Sequence, residues 1–200
     1  MSWQAVPTRT AETVAWIRTD LLIRLLPFGL LSAAVWLIWH PAWLGFSAGR
    51  IPVQLGFALL GAPLMFTAST VMQAGLARHR GALRVPANRS DLWLQTGFYL
   101  LNAPLEEAVF RGLLQGGLGA LVSPWLGFAV GTLAYVLYHR LGRWPWPDVA
   151  ATALLGVPLG VAFWFLPGPA SLLGVSVVHA AATCGFLGPG PYLLHRLRSR

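Results

Sequence analysis

The sequence predicts an all-α protein, a polytopic transmembrane helix bundle with about six spans and both termini in the cytoplasm. Three observations favour this class. The chain is 56% hydrophobic and only 10% charged, whereas a soluble domain carries about 25% charged residues. Six apolar segments approach the roughly 20 residues that a membrane-spanning helix needs. The arginines between these segments collect on one side of the membrane. At a length of 200 residues, we expect a single integral membrane domain over residues 1–200.

The apolar segments are separated by stretches rich in glycine, proline and arginine, which mark turns. Some of the segments are themselves interrupted by proline. The N-terminal stretch is too long and too polar for the first part of a cleaved signal peptide, so the first span is expected to be retained. The six predicted spans run from Leu21 to Trp39, Ile51 to Gly75, Leu92 to Gly117, Ala120 to His139, Val149 to Leu166 and Ser171 to Leu194.

The distribution of arginine gives an independent test of these spans. With the N-terminus inside, eleven arginines fall in cytoplasmic segments and only Arg50 falls on the opposite side. Positive charge collects on the cytoplasmic side of membrane proteins, so this bias favours six spans. Two arginines lie within spans. We expect Arg24 to reach the nearby membrane surface, but Arg111 is too deep to do so.

Composition also excludes several classes of protein. The single cysteine, Cys184, excludes an internal disulfide and any multi-cysteine metal cluster. The net charge of +8 would suggest nucleic-acid binding in a soluble protein. Here the arginines flank apolar segments, so the predicted partner is the lipid bilayer and no nucleic acid is expected.

The most informative segment places three charged residues, Glu106, Glu107 and Arg111, inside an apolar run. Each buried charge costs roughly 2.5–3.5 kcal/mol in a membrane, so such residues usually serve a function. On a helix, Glu107 and Arg111 share a face and can pair. Glu106 points about 100° away and has no cation on its own helix, so it is the predicted proton acceptor. The alternative is an ion-pair lock between helices, without chemistry.

Two histidines on later spans extend this pattern. His139 follows Tyr135 by four residues, and His179 precedes Thr183 by four. A histidine on an apolar helix is often only structural, and His139 also lies near a predicted membrane end. His179 has no charged partner on its own helix. We therefore expect its partner to be the acidic pair on the third span.

The order of these motifs resembles the CPBP family of intramembrane endopeptidases, which includes the type II CAAX prenyl proteases. That family shows Glu-Glu-x-x-x-Arg, then Phe-x-x-x-His, then His-x-x-x-Asn on successive helices. The first motif is complete here, while Tyr135 replaces the phenylalanine and Thr183 replaces the asparagine. The resemblance covers residues 93–187, the predicted catalytic core. Some bacterial relatives resemble the myxosortase-like sorting proteases.

The resemblance implies hydrolysis of a peptide bond within the membrane, near the C-terminus of a membrane-tethered protein with a lipidated or hydrophobic tail. By similarity, Glu106 is the general base for water and His139 orients that water. His179 and Thr183 stabilise the oxyanion, and Glu107 with Arg111 holds the base. Tyr135 lines the substrate site. The expected location is the inner membrane of a bacterium.

Other interpretations remain open from the sequence. A zinc ion held by Glu106, His139 and His179 could activate water, although no His-Glu-x-x-His motif is present and Arg111 disfavours a dication. A mechanism without a cofactor is therefore the first expectation. A non-catalytic membrane scaffold, of the kind implicated in bacteriocin immunity, is the main functional alternative. A proton-coupled transporter is a third, but such proteins usually contain repeats, and none is evident in the sequence.

Overall fold

Helices account for nearly all of the computed structural model, which describes residues 3–198. The prediction of an all-α bundle is confirmed. The α-helices are α1 Thr10–Asp20, α2 Leu26–Trp39, α3 Ile51–Arg80, α4 Arg89–Glu107, α5 Gly117–Leu121, α6 Pro124–Tyr138, α7 Trp146–Phe165, α8 Leu173–Phe186 and α9 Pro189–Arg198.

Two π-helical segments join consecutive α-helices into longer rods. Leu21–Leu25 connects α1 to α2, and Ala108–Gly116 connects α4 to α5. π-Helical segments are rare in proteins, and those that occur often lie at functional sites. Each segment carries one of the two arginines found within predicted spans, Arg24 and Arg111, so both sites of irregular winding coincide with a charge inside the bundle.

Six helical rods thus correspond to the six predicted spans. Four are long and apolar enough to cross a membrane, namely Thr10–Trp39, Ile51–Arg80, Trp146–Phe165 and Leu173–Arg198. Helix α6 is apolar but has only 15 residues, and the rod that contains α4 carries the buried charges. The cytoplasmic location of both termini stays a prediction.

The last predicted span, Ser171 to Leu194, is not one continuous helix. Helix α8 ends at Phe186, and α9 begins at Pro189. Gly188 between them has a φ of +59°, which a glycine adopts without steric cost. Pro189 has no backbone N–H with which to continue the helix. The predicted span therefore contains a helix break at residues 187–188, which the sequence analysis did not predict.

A short parallel strand pair, which the sequence analysis did not predict, precedes two of the rods. Strand β1 is Gln4–Thr8 and strand β2 is Ala82–Pro86, with Gln4 opposite Ala82 and Thr8 opposite Pro86. Because the strands are parallel, the rods that follow them run side by side in the same direction. The rings of Trp16 and Phe98 lie 4.9 Å apart, and those of Phe28 and Phe110 lie 5.9 Å apart.

The distribution of polarity is that of a membrane protein. Large apolar side chains such as Leu59 and Leu60 are more than 70% exposed on the outer faces of helices. Charged side chains, by contrast, are buried inside the bundle, which is rare in soluble proteins. An apolar cluster packs around those charges and includes Phe110, Tyr135 and Val178. The outward face is therefore suited to lipid.

Glycines allow the π-helical segment to approach its neighbours closely. A Cβ atom at Gly131 of α6 would lie 2.6 Å from the carbonyl oxygen of Phe110, and one at Gly116 would lie 2.2 Å from that of Trp43. Small residues permit such contacts between membrane helices. The close approach holds α6 against the segment that contains Arg111.

Candidate active site

Glu106 and Glu107 are the last two residues of α4, and Arg111 lies on the π-helical segment that follows. All three side chains are almost fully buried, with exposures of 1%, 0% and 0%. Charges buried this deeply require partners inside the protein. Those partners come from four other rods.

Glu107 and Arg111 pair as their spacing predicts, with Nε of Arg111 3.3 Å from Oε2 of Glu107. The guanidinium group also donates to the carbonyl oxygen of Gly156 at 2.8 Å and to the hydroxyl of Thr132 at 3.2 Å. Arg111 thus connects the third rod to α6 and α7. This arrangement fixes both the carboxylate and the surrounding helices.

His179 on α8 meets the acidic pair, as the sequence analysis expected. Its Nδ1 lies 2.7 Å from Oε1 of Glu107, and its Nε2 lies 3.2 Å from the hydroxyl of Tyr135. A carboxylate only accepts hydrogen bonds, so Nδ1 is assigned as the donor. Nε2 is also 3.5 Å from Oε2 of Glu106. The second ring nitrogen therefore faces the other carboxylate.

Glu106 has a cation partner on the first rod, which the sequence analysis did not predict. Nη1 of Arg24 lies 2.5 Å from Oε1 of Glu106, and the Tyr138 hydroxyl donates to the same oxygen at 2.6 Å. Oε2 is buried and has no hydrogen-bond partner within residues 3–198. One oxygen of the carboxylate is thus held by two donors, while the other is uncommitted.

The expectation that Arg24 reaches the membrane surface is wrong for the same reason. Its guanidinium group lies between Asp20 and Glu106, because the first rod runs parallel to α4 and places the two residues side by side. Sequence reasoning missed this contact across 82 residues. The available signal was a charge within a predicted apolar span, the same signal that identified Glu106.

His139 lies at the same depth as Glu106, although the sequence placed it near a membrane end. Glu106 precedes Leu121 by 15 residues, and His139 follows Pro124 by 15 residues across the tight turn between α5 and α6. Tyr138 donates to Oε1 of Glu106, and the ring of His139 lies 4.9 Å from that of Tyr138, which places His139 near the level of the carboxylate. Nδ1 of His139 lies 2.7 Å from the Tyr135 carbonyl oxygen, which leaves Nε2 available to another group.

Tyr135 is buried, with 1% exposure, and its hydroxyl faces His179. Its predicted contact with substrate stays a prediction. Thr183 follows His179 by one helical turn and is half-buried. Among the hydrogen bonds of the described residues, none involves the Thr183 hydroxyl, so its part in the site also stays a prediction. Asn102, one turn before Glu106, is a buried amide that sequence reasoning missed, and its Oδ1 has no partner within the described chain.

The alternative of a zinc site stays a prediction, although two features of the arrangement weigh against it. Over residues 3–198, no group of three or more His, Cys, Asp or Glu side chains is placed to hold a metal ion. Oε1 of Glu106 is already paired with the guanidinium group of Arg24. A dication at Glu106 would face that positive charge at short range.

An apolar groove of about 940 Å³ runs beside the site, between α2, α4 and α8. Its lining includes Pro104, two residues before Glu106, and Ala180, which follows His179. Helix α8 therefore presents one face to the groove and another to the charged cluster. A hydrophobic chain in this groove would contact α4 and α8, the two helices that carry Glu106 and His179.

Comparison with known proteins identifies the fold's family. Residues 88–184 match the model of the family described as type II CAAX prenyl endopeptidase Rce1-like. The match includes every residue proposed for catalysis from the sequence. It begins at residue 88, so it does not include the first rod. No curated protein and no solved structure matches the chain significantly. Residues 88–184 therefore form a domain of the CAAX protease family, and this domain contains Glu106, Glu107, Arg111, His139 and His179.

Proposed function

We propose that this protein is an intramembrane endopeptidase in which Glu106 is the general base that activates water. The proposal depends on the different hydrogen bonding of the two carboxylate oxygens of Glu106. Oε1 is held by Arg24 and Tyr138, while Oε2 is uncommitted and lies 3.5 Å from Nε2 of His179. A fixed carboxylate with one available oxygen suits the acceptance of a proton from water.

In the proposed reaction, Oε2 of Glu106 accepts a proton from water, and the resulting hydroxide attacks the carbonyl carbon of the scissile peptide bond. The carbonyl oxygen becomes an oxyanion, to which the hydroxyl of Thr183 donates a hydrogen bond, and His179 donates a second one when Nε2 carries a proton in addition to Nδ1. When the C–N bond breaks, Glu106 returns the proton to the leaving amine. His139 orients the water through its free Nε2. Glu107 and Arg111 hold His179 and the helices in register.

The substrate class follows from the groove beside the site. Its lining is almost wholly apolar, so it offers few partners for a peptide backbone but suits a hydrocarbon chain. A membrane-tethered protein with a lipidated C-terminal tail could place the lipid in the groove and the peptide bond at Glu106. The name of the matched family makes a prenylated CAAX tail the first substrate to test. The expected location is the inner membrane of a bacterium, with the arginine-rich segments on the cytoplasmic side.

The test uses the full chain in proteoliposomes and an internally quenched peptide that ends in a farnesylated CAAX tail. Glu106→Gln keeps the shape of the side chain but cannot take the proton, so we expect cleavage to fall by about 10²–10⁴-fold. Glu12→Gln, at an exposed acid of α1, is the matched control and should cleave normally. Full activity of Glu106→Gln would contradict the proposal.

A second measurement separates the glutamate and metal mechanisms. Chelators should leave cleavage unchanged, and activity that chelators abolish and zinc restores would overturn the glutamate version. If the wild-type protein binds the farnesylated peptide without cleaving it, the scaffold interpretation is favoured instead.

A further inference from the structure

Arg24 lies far outside the family domain, on the π-helical segment of the first rod. It nevertheless contacts the carboxylate to which we assign the chemistry. Its side chain is 20% exposed, whereas that of Glu106 is 2% exposed. Arg24 thus stands between the buried carboxylate and the accessible edge of the site.

Three contacts hold the guanidinium group of Arg24 in place. Nη1 lies 2.5 Å from Oε1 of Glu106, and Nη2 donates to Oδ2 of Asp20, one turn earlier on the same rod. The group also lies 5.3 Å from the centre of the Tyr138 ring, a cation–π distance. Because its two ends are bound to different carboxylates, the group has little freedom to rotate.

The register between the first rod and α4 is fixed along several turns. Trp16 contacts Phe98, Arg24 contacts Glu106, and Phe28 contacts Phe110. Each pair is separated by 82 residues, as expected for two parallel helices in constant register. The parallel pairing of β1 with β2 anchors the same two rods at one end. The Arg24–Glu106 contact is therefore a product of the fold.

The two carboxylates each have their own arginine, and the two arginines differ in their surroundings. Arg111 is fully buried and is bonded to the backbone and side chains of other helices. Arg24 bonds only to carboxylates among the described residues and lies at the edge of the site. We therefore interpret Arg111 as a structural arginine and Arg24 as an arginine that acts on the carboxylate of Glu106.

We propose that Arg24 is a positioning residue for the general base. It fixes Oε1 of Glu106 so that Oε2 faces the water, and Asp20 in turn fixes Arg24. The inference rests on the proposed function. It adds that the working site includes the first rod, so the family domain at residues 88–184 is not sufficient for activity.

The test compares Arg24→Gln, Arg24→Lys and Arg24→Ala with Arg18→Gln, a matched control at an exposed arginine of α1. Steady-state cleavage of the farnesylated peptide gives kcat and KM for each variant. We expect kcat to fall about 100-fold in Arg24→Gln, the effect of a misplaced catalytic group, with little change in KM. Arg24→Lys should lie between wild type and Arg24→Gln, because an ammonium group cannot bridge both carboxylates as a fork.

Chemical rescue distinguishes positioning from a purely structural role. Guanidinium ion, added below denaturing concentrations, should restore part of the kcat of Arg24→Ala and leave Arg18→Gln unchanged. Activity of Arg24→Gln within twofold of Arg18→Gln would overturn the inference. The inference would also be overturned if Arg24→Lys lost as much kcat as Arg24→Gln and guanidinium restored no kcat to Arg24→Ala. If Glu106→Gln is inactive while Arg24→Gln is fully active, this inference fails but the proposed function stands.

Discussion

Glu107 and His179 share a 2.7 Å hydrogen bond between Oε1 and Nδ1, across 72 residues of sequence. The same carboxylate is paired with Arg111 through its other oxygen. Glu107 therefore connects a cation on its own rod to the histidine of α8. Because all three groups are buried, removal of one leaves the others without compensation.

Arg111→Met should strongly destabilise the protein. The substitution preserves much of the side-chain volume but leaves the carboxylate of Glu107 buried without its cation, which costs about 3–5 kcal/mol. Glu107→Gln should cost a similar amount for the converse reason. The double variant should be more stable than the sum of the two effects predicts, because neither unpaired charge remains.

The free energy of unfolding of each variant in detergent micelles gives the interaction energy between Arg111 and Glu107 directly. Arg18→Met, at an exposed arginine of α1, is the control and should unfold as wild type does. A free energy of unfolding for Arg111→Met within about 0.5 kcal/mol of wild type, the usual range for surface substitutions, would show that the pair does not stabilise the bundle.

Two tyrosines on α6 should respond differently to the loss of their hydroxyl groups. Tyr138→Phe removes a 2.6 Å donor to the carboxylate of Glu106, and hydrogen bonds to charged groups contribute about 1.5–3 kcal/mol. We therefore expect kcat to fall roughly 10- to 100-fold. Tyr135→Phe removes only a 3.2 Å contact with the ring of His179.

Tyr135→Phe should lower kcat by less than about tenfold, in line with the modest contribution of a neutral hydrogen bond. It also restores the phenylalanine of the family motif that the sequence resembles. Steady-state cleavage of the farnesylated peptide by both variants provides the comparison. A larger loss in Tyr135→Phe than in Tyr138→Phe would mean that His179, and not the Glu106 carboxylate, is the group whose alignment limits the reaction.

A matched pair of glycine substitutions tests the packing that places α6. A Cβ at Gly131 would approach the Phe110 carbonyl oxygen to 2.6 Å, whereas one at Gly97 would meet nothing within 4 Å. Gly131→Ala should therefore destabilise the protein by about 1–3 kcal/mol and lower kcat, because α6 carries Tyr138. Gly97→Ala should be neutral or stabilising by up to about 1 kcal/mol.

Thermal unfolding and cleavage assays on both glycine variants measure these effects on stability and kcat. If Gly131→Ala matches Gly97→Ala in both measurements, the close approach of α6 to the π-helical segment has no role in stability or in activity.

Local geometry explains which parts of the site could be predicted from the sequence. The pairing of Glu107 with Arg111 depends only on helical spacing, and the structure contains it. The contact between His179 and the acidic pair followed from a shortage of other partners. The first inference used spacing within one helix, which a helix fixes almost independently of the fold, and the second used the scarcity of buried charges.

Contacts that depend on the relative position of two helices could not be predicted in the same way. Arg24 reaches Glu106 because two rods run parallel, and the sequence does not specify that direction. The π-helical winding at Ala108–Gly116 and the break at Gly188 likewise depend on neighbouring helices or on a single φ angle. The sequence therefore predicted the partners of Glu107 but missed the arginine that contacts Glu106.

The shortness of α6 has a consequence for the lipid around the protein. Fifteen residues span about 22 Å, while the hydrocarbon core of a bilayer is about 30 Å thick. A helix shorter than the hydrocarbon core is accommodated by local thinning of the bilayer or by flanking side chains that reach the interface. We therefore expect the lipid beside α6 to be thinner than elsewhere around the protein, at the helix that carries the Tyr138 donor to Glu106.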